Sequence, residues 1–238
     1  MEVLTWYRWL PIPNYVVSLL VVTSMFLVYW LIQGYTQQYG KKSEIAQAKS
    51  IIINRIAGFL LFGPVALILF RLSGEFCLCS LGAYLKFKPV VWLITTILSL
   101  VAILINWYAA RSKSNLAMYP QIRFANWSIG WLIVSALTWI LYLIGYEFIF
   151  RSLLLGTWLN ALGAPTAIAL NICIYALVHL PKGPKEALGS IPMGLILCLL
   201  VMAMHSFWPA VFLHVSLALS NEWFSFHFQP NMKLKSKI

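Results

Sequence analysis

Tyr146-Glu147-Phe148-Ile149-Phe150-Arg151-Ser152 lies in the middle of Ser128–Leu162, a run that is otherwise almost entirely apolar. A charged side chain at a bilayer centre costs at least ~2.5–3.5 kcal/mol on insertion scales, so charges placed there need partners and usually carry function. Glu147 and Arg151 are four residues apart, neighbours on one helical face that can neutralise each other. An ion pair that only locks two helices together would use the same pattern. The C-terminal half argues for more, because two further apolar segments each carry a histidine, His179 and His214.

Composition sets the class. Of 238 residues 61% are hydrophobic and 10% are charged, and the mean hydropathy is +0.83. A soluble domain of this length could not bury so much apolar surface. The expected fold is all-α, a polytopic transmembrane helical bundle of about seven spans (six to eight). The net charge of +11 does not indicate nucleic acid, because the basic residues fall between apolar spans and not on one face. Membrane topology and anionic lipid head groups account for them. The four cysteines give no framework: Cys173 and Cys198 lie within apolar spans, and Cys77 and Cys79 form a C-x-C without a second pair, weak grounds for a metal or a disulfide.

Along the chain, Trp6 to Pro13 reads as an interfacial lead-in. Val16–Ile32 is a first span, retained and not cleaved as a signal peptide, since no small-residue cleavage site follows it. Ile51–Phe70 is a second span with Arg55 near its start and Pro64 inside, where it can kink. Arg71 to Lys88 is mixed and reads as an interfacial or re-entrant piece, and Val90–Ala110 is the third span. The longest polar connection, Arg111 to Asn126, leads to Ser128–Leu162, which is either one long tilted helix or two short crossings broken at Gly145. After Gly163-Ala164-Pro165 come Thr166–Leu180, Ala187–Met204 and Trp208–Phe226. These divide the chain into N-terminal transmembrane helices and loops (1–127), a helical core (128–226) and a basic tail (227–238). Twelve Lys and Arg fall on one side of this arrangement, Arg55 among them, and five on the other, which favours N-out, C-in.

Glu147 lies 16 residues before Gly163 and His179 lies 16 after it. Two antiparallel helices joined at that glycine place both at one depth, ~24 Å from the turn. A carboxylate level with an imidazole supplies the parts of a general base. His214 is about six residues past its own turn, which simple counting puts only ~9 Å deep. Asn221, seven residues on, shares its helical face and would sit closer to Glu147.

The pattern resembles the CAAX-protease and bacteriocin-processing family of intramembrane proteases (CPBP, or abortive-infection, family). The family's Glu-Glu-x-x-x-Arg motif is matched by Tyr146-Glu147-Phe148-Ile149-Phe150-Arg151, and its Phe-x-x-x-His by Tyr175-Ala176-Leu177-Val178-His179. Its third histidine, often His-x-x-x-Asn after an apolar-Trp-Pro turn, is matched by His214 after Phe207-Trp208-Pro209. The likeness covers about residues 128–226. Each motif alone is weak; all three in order on apolar spans are fairly specific. Three positions depart from it: Tyr146 replaces the first glutamate, Ser152 the motif glycine, and Ala218 the asparagine.

The resemblance implies an intramembrane endopeptidase. Glu147 with His179 would polarise a water, His214 with Asn221 would stabilise the oxyanion, and Arg151 would orient and balance charge, since guanidinium does not give up its proton. Glu186, after His179-Leu180-Pro181-Lys182-Gly183-Pro184-Lys185, would cap the following helix or line the site entrance. The substrate would be a membrane-associated peptide or protein, a leader or a C-terminal tail, and the expected location is a bacterial inner membrane. No cofactor is expected. Zinc is the alternative, because two histidines and a carboxylate suit it, although no H-E-x-x-H occurs. The competing readings are a non-catalytic immunity or assembly factor on the same fold, favoured by Tyr146 and Ala218, and a transporter, disfavoured by the absence of a paired repeat.

Overall fold

The computed structural model describes residues 12–72, 82 and 85–235. The lead-in before Ile12, most of the Arg71–Lys88 piece, and Cys77 and Cys79 lie outside the described residues. The chain forms an all-α bundle. Its helices are α1 (Asn14–Gly40), α2 (Glu44–Leu72), α3 (Pro89–Ala109), the short α4 (Lys113–Met118), α5 (Ile129–Leu162), α6 (Ala164–Leu177), α7 (Pro184–Met204) and α8 (Trp208–Phe228). Among the described residues, six segments are long and apolar enough to cross a membrane: α1, α2, α3, α5, α7, and α6 with the turn that follows it. The remaining long helix, α8, carries His214, Asn221, Glu222 and His227. A two-residue parallel pairing of β1 (Asn126–Trp127) with β2 (Lys233–Leu234) ties the segment after α8 to the loop before α5.

Local chemistry sets the ends. The Ser43, Ser112 and Ser128 hydroxyls accept from Ala46, Asn115 and Trp131 N–H and so cap α2, α4 and α5. Prolines stand in the first turns of α3, α6, α7 and α8, where the missing N–H costs nothing. Within α2, Pro64 lies in a π-helical turn, Leu61–Val65. That wider turn absorbs the hydrogen bond proline cannot make.

Ser128–Leu162 is one helix. Gly145 does not break it; it lets another backbone come close. A Cβ at Gly145 would sit 3.0 Å from Phe59 Cα and carbonyl O on α2, and one at Gly58 would meet the Tyr142 ring at 2.5 Å. Small residues at such crossings are how membrane helices gain close packing. The helix changes register further on, through a π-helical segment, Phe148–Leu154.

Polarity is inverted on α3. Its buried residues are Val91, Thr95 and Ser99, whereas Leu93, Ile97, Leu100 and Leu104 face outward. That arrangement suits a helix whose outer solvent is lipid. Phe26 of α1, Phe62 of α2, Tyr146 and Phe150 of α5, Tyr175 of α6, Leu197 of α7 and Leu213 of α8 join in one central cluster. Arg55 is not a loop cation. It is 3% exposed inside this end of α2, donates to Glu222 Oε1 at 3.3 Å, Ser135 O at 2.9 Å and Gln121 Oε1 at 3.0 Å, and stacks 4.2 Å from the Trp139 ring centre. Burial is affordable because α8 supplies the counter-charge.

Candidate active site

The π-helical segment builds the centre of the site. Widening the turn after Glu147 leaves backbone carbonyls without their usual partners, and Asn171 of α6 donates from Nδ2 to Phe150 O at 2.9 Å. The other atom of the same carboxamide, Oδ1, accepts from Arg151 Nη1 at 2.5 Å. Arg151 Nη1 also reaches Cys198 Sγ of α7 at 3.1 Å, and its guanidinium lies 4.7 Å from the Tyr175 ring centre. Held in this way, Arg151 Nε donates to Glu147 Oε2 at 3.0 Å. Both ionic side chains are out of contact with solvent, Glu147 at 0% and Arg151 at 1% exposure. A lone polar residue in an apolar span is the sequence signal that marks Asn171; it was not singled out above.

The second oxygen of Glu147 belongs to His214, whose Nδ1 donates to Oε1 at 2.5 Å. His214 thus reaches the carboxylate that simple counting placed much deeper. The reason lies in the α7–α8 turn. Ser206 and Phe207 are 0% and 4% exposed, and Phe207 N donates to Gly82 O at 3.2 Å. The turn is buried, so α8 begins already inside the protein.

His179 follows α6, in the turn before the 3-10 segment Leu180–Lys182. Its Nδ1 lies 2.7 Å from Tyr175 O. A carbonyl can only accept, so Nδ1 carries the proton and the neutral ring presents an unprotonated Nε2. No hydrogen bond joins His179 to Glu147 among the described residues. Between the two imidazoles stands Tyr146, its ring centre 6.1 Å from that of His179 and 5.8 Å from that of His214, edge-on to both.

Tyr146, His179, His214, Asn221 and Glu186 line one cavity of about 350 Å³. Glu147 is not among its walls; it stands behind His214. From α8 the cavity receives His214, Ala218 and Asn221, residues that share one helical face. The carboxamide is therefore one turn beyond the family's asparagine position, and its Oδ1 is buried without a partner among the described residues.

Residues 127–220 match the family model described as type II CAAX prenyl endopeptidase Rce1-like. That description corresponds to the CPBP family, to which this segment is similar. Comparison with curated proteins and with solved structures gives no match.

Within the CPBP-like segment, the residue facing the cavity at the first motif-glutamate position is Tyr146, while Glu147 turns inward to Arg151 and His214. The mouth is completed from outside the segment. Tyr119, in the loop after α4, donates from its hydroxyl to Glu186 Oε1 at 3.1 Å. Burial, reinforced by the nearby Glu186 carboxylate, pushes the Tyr119 hydroxyl well above its ordinary pKa, so it remains a donor. Glu222 accepts from Arg55 and from Gln121 N–H at 3.2 Å, a structural use. Among the described residues no three His, Cys, Asp or Glu side chains are grouped to hold a metal.

Proposed function

We propose that this integral membrane protein is a CPBP-type intramembrane endopeptidase that cleaves a peptide bond by water attack without a metal. One observation carries the reading: two imidazoles face one cavity with each Nδ1 engaged by an acceptor, which leaves each Nε2 for chemistry. His179 Nε2 takes a proton from water, and the resulting hydroxide adds to the scissile carbonyl carbon. The protonated His214 ring, held by Glu147, donates through Nε2 to the developing oxyanion, and Asn221 donates from Nδ2. The tetrahedral intermediate collapses, the C–N bond breaks, and His179 returns its proton to the leaving amine. Glu147 works through His214 as a positioning residue, and Arg151 keeps the carboxylate ionised and aimed.

A prenylated C-terminal peptide is the first substrate to test, because the matched family is described as a CAAX prenyl endopeptidase. Leader peptides and other membrane-associated tails come next. The protein is placed in a bacterial inner membrane, N-out and C-in. Purified protein incubated with such peptides should yield a single defined cut by mass spectrometry, and His179→Ala should slow it by about 10²–10⁴-fold. Cleavage undiminished in His179→Ala would overturn the mechanism.

Tyr146 favours a second reading, a membrane binding or assembly factor that keeps the fold without its chemistry. On that reading His179→Ala and Glu147→Gln leave the cellular phenotype unchanged, whereas substitutions that reshape the cavity do not.

A further inference from the structure

Beside the active cavity lies a second, larger chamber of about 520 Å³ that the proposed reaction does not use. The two share Gln33, Tyr142 and Lys182 among their walls. The chamber's chemistry is one-sided. Lys41, Arg55 and Lys182 line it together with the amides of Gln33 and Gln37, and no carboxylate does. Arg55 is already matched by Glu222 at 3.3 Å. Neither the Lys41 nor the Lys182 ammonium has an ion-pair or hydrogen-bond partner among the described residues, the Glu186 carboxylate acting on Lys182 only at longer range. The nearest acid to Lys182 in sequence is Glu186, which is beyond ion-pair distance and accepts from the Tyr119 hydroxyl.

A half-open chamber lined by two ammonium groups without an ion-pair partner, by Arg55 and by side-chain amides, with no carboxylate among its walls, suits an oxyanion. Its position says which one. Most of the walls come from the last turns of α1 (Gln33, Gln37, Gly40), from Lys41 in the α1–α2 turn, from the first turns of α2, and from the turn between α6 and α7, with Trp139 and Tyr142 of α5 completing them. These are the points where apolar helices end, the depth at which bilayer phosphates lie. Basic pockets between transmembrane helices at this level suit anionic head groups, each lysine contributing roughly 1 kcal/mol.

We propose that this chamber is a binding site for the phosphate head group of an anionic lipid, held by Lys41 and Lys182. Lys182 also walls the active cavity, and its turn follows His179 directly, so an occupied chamber would fix the segment that carries His179. The inference stands apart from the protease reading, because its evidence is the charge of the chamber walls and its test measures binding.

Full-length protein purified in detergent is titrated by calorimetry with dihexanoyl phosphatidic acid, dihexanoyl phosphatidylcholine, inorganic phosphate, and one short peptide with either a free or an amidated C-terminus. Phosphatidic acid should bind at least about tenfold tighter than phosphatidylcholine or inorganic phosphate. Lys41→Gln and Lys182→Gln should each weaken it roughly fivefold, the change expected for one lysine near a head group. Lys113→Gln, on α4 away from the chamber, should leave it unchanged. Both chamber lysines are at least partly exposed, and an unchanged unfolding temperature in detergent checks that the variants fold. Equal affinity for the two lipids, a preference that survives both chamber substitutions, or inorganic phosphate binding as tightly as the lipid would overturn the proposal. So would a Lys182-dependent preference for the free-acid peptide over its amide that exceeds the preference for phosphatidic acid, because the chamber would then be a peptide subsite.

Discussion

His214 Nδ1 lies 2.5 Å from Glu147 Oε1, and this contact across 67 residues of sequence joins α8 to α5 just before its π-helical segment. It converts a buried carboxylate, which is not among the cavity walls, into a device that balances the charge and fixes the direction of an imidazole which is. The same carboxylate is shared with Arg151 at 3.0 Å, so one negative charge serves two cationic or cation-forming partners.

Glu147→Gln should therefore lower kcat by roughly 10³–10⁴, the scale seen when a carboxylate behind a catalytic imidazole becomes an amide. His214→Ala should lose a comparable factor. Because the two act as one unit, the double variant should be little worse than either single one. Steady-state cleavage by the three variants checks this, and multiplicative losses would show that Glu147 acts without His214.

A general base works unprotonated, so acid should suppress the reaction. On the acid limb, kcat/KM should fall by about tenfold per pH unit once the essential imidazole takes up a proton. In His179→Ala the residual rate should lose that limb. A pH–rate profile of both proteins, with folding checked by circular dichroism at each pH, decides the point.

Cleavage should survive EDTA and phenanthroline to within about twofold, since no metal-generated nucleophile is invoked. Loss of activity on chelation with specific recovery by added Zn²⁺, together with near-stoichiometric metal by elemental analysis, would assign the reaction to zinc.

Asn171→Leu removes the acceptor for Arg151 Nη1 and the donor for Phe150 O in one step. Arg151 Nη1 keeps only Cys198 Sγ and Phe150 O only the Leu155 N–H, so the loss of two buried hydrogen bonds should cost roughly 1–3 kcal/mol of stability. Thermal unfolding in detergent measures it, and activity should fall further than the unfolded fraction explains, because Arg151 no longer holds Glu147.

Gly145→Ala forces a methyl to within 3.0 Å of the Phe59 backbone. Overpacking at that crossing should destabilise by roughly 1–3 kcal/mol. Gly34→Ala, in α1 with nothing within 4 Å of the added carbon, should not, and comparing their unfolding temperatures separates crowding from a general effect of replacing glycine.

The sequence by itself determined the class of fold, the apolar run Ser128–Leu162 (though not whether it is one helix or two), and the three segments that bear Glu147, His179 and His214. These follow from apolar run length, from proline and glycine at the breaks, and from the cost of charge in hydrocarbon, all of which are local or additive properties. The tertiary structure decided who touches whom. Counting residues along straight helices levelled Glu147 with His179 and left His214 shallow, because it assumed that every turn sits at the membrane surface; the buried Ser206-Phe207 turn breaks that assumption. Asn171 gives no local sign of its two partners, since one lies 20 residues back and the other is a backbone carbonyl within the π-helical segment. Arg55 reads as a loop cation until α8 brings Glu222 to it across 167 residues. Which buried charge meets which partner depends on helix rotation and tilt, and those are fixed by packing among all the helices together.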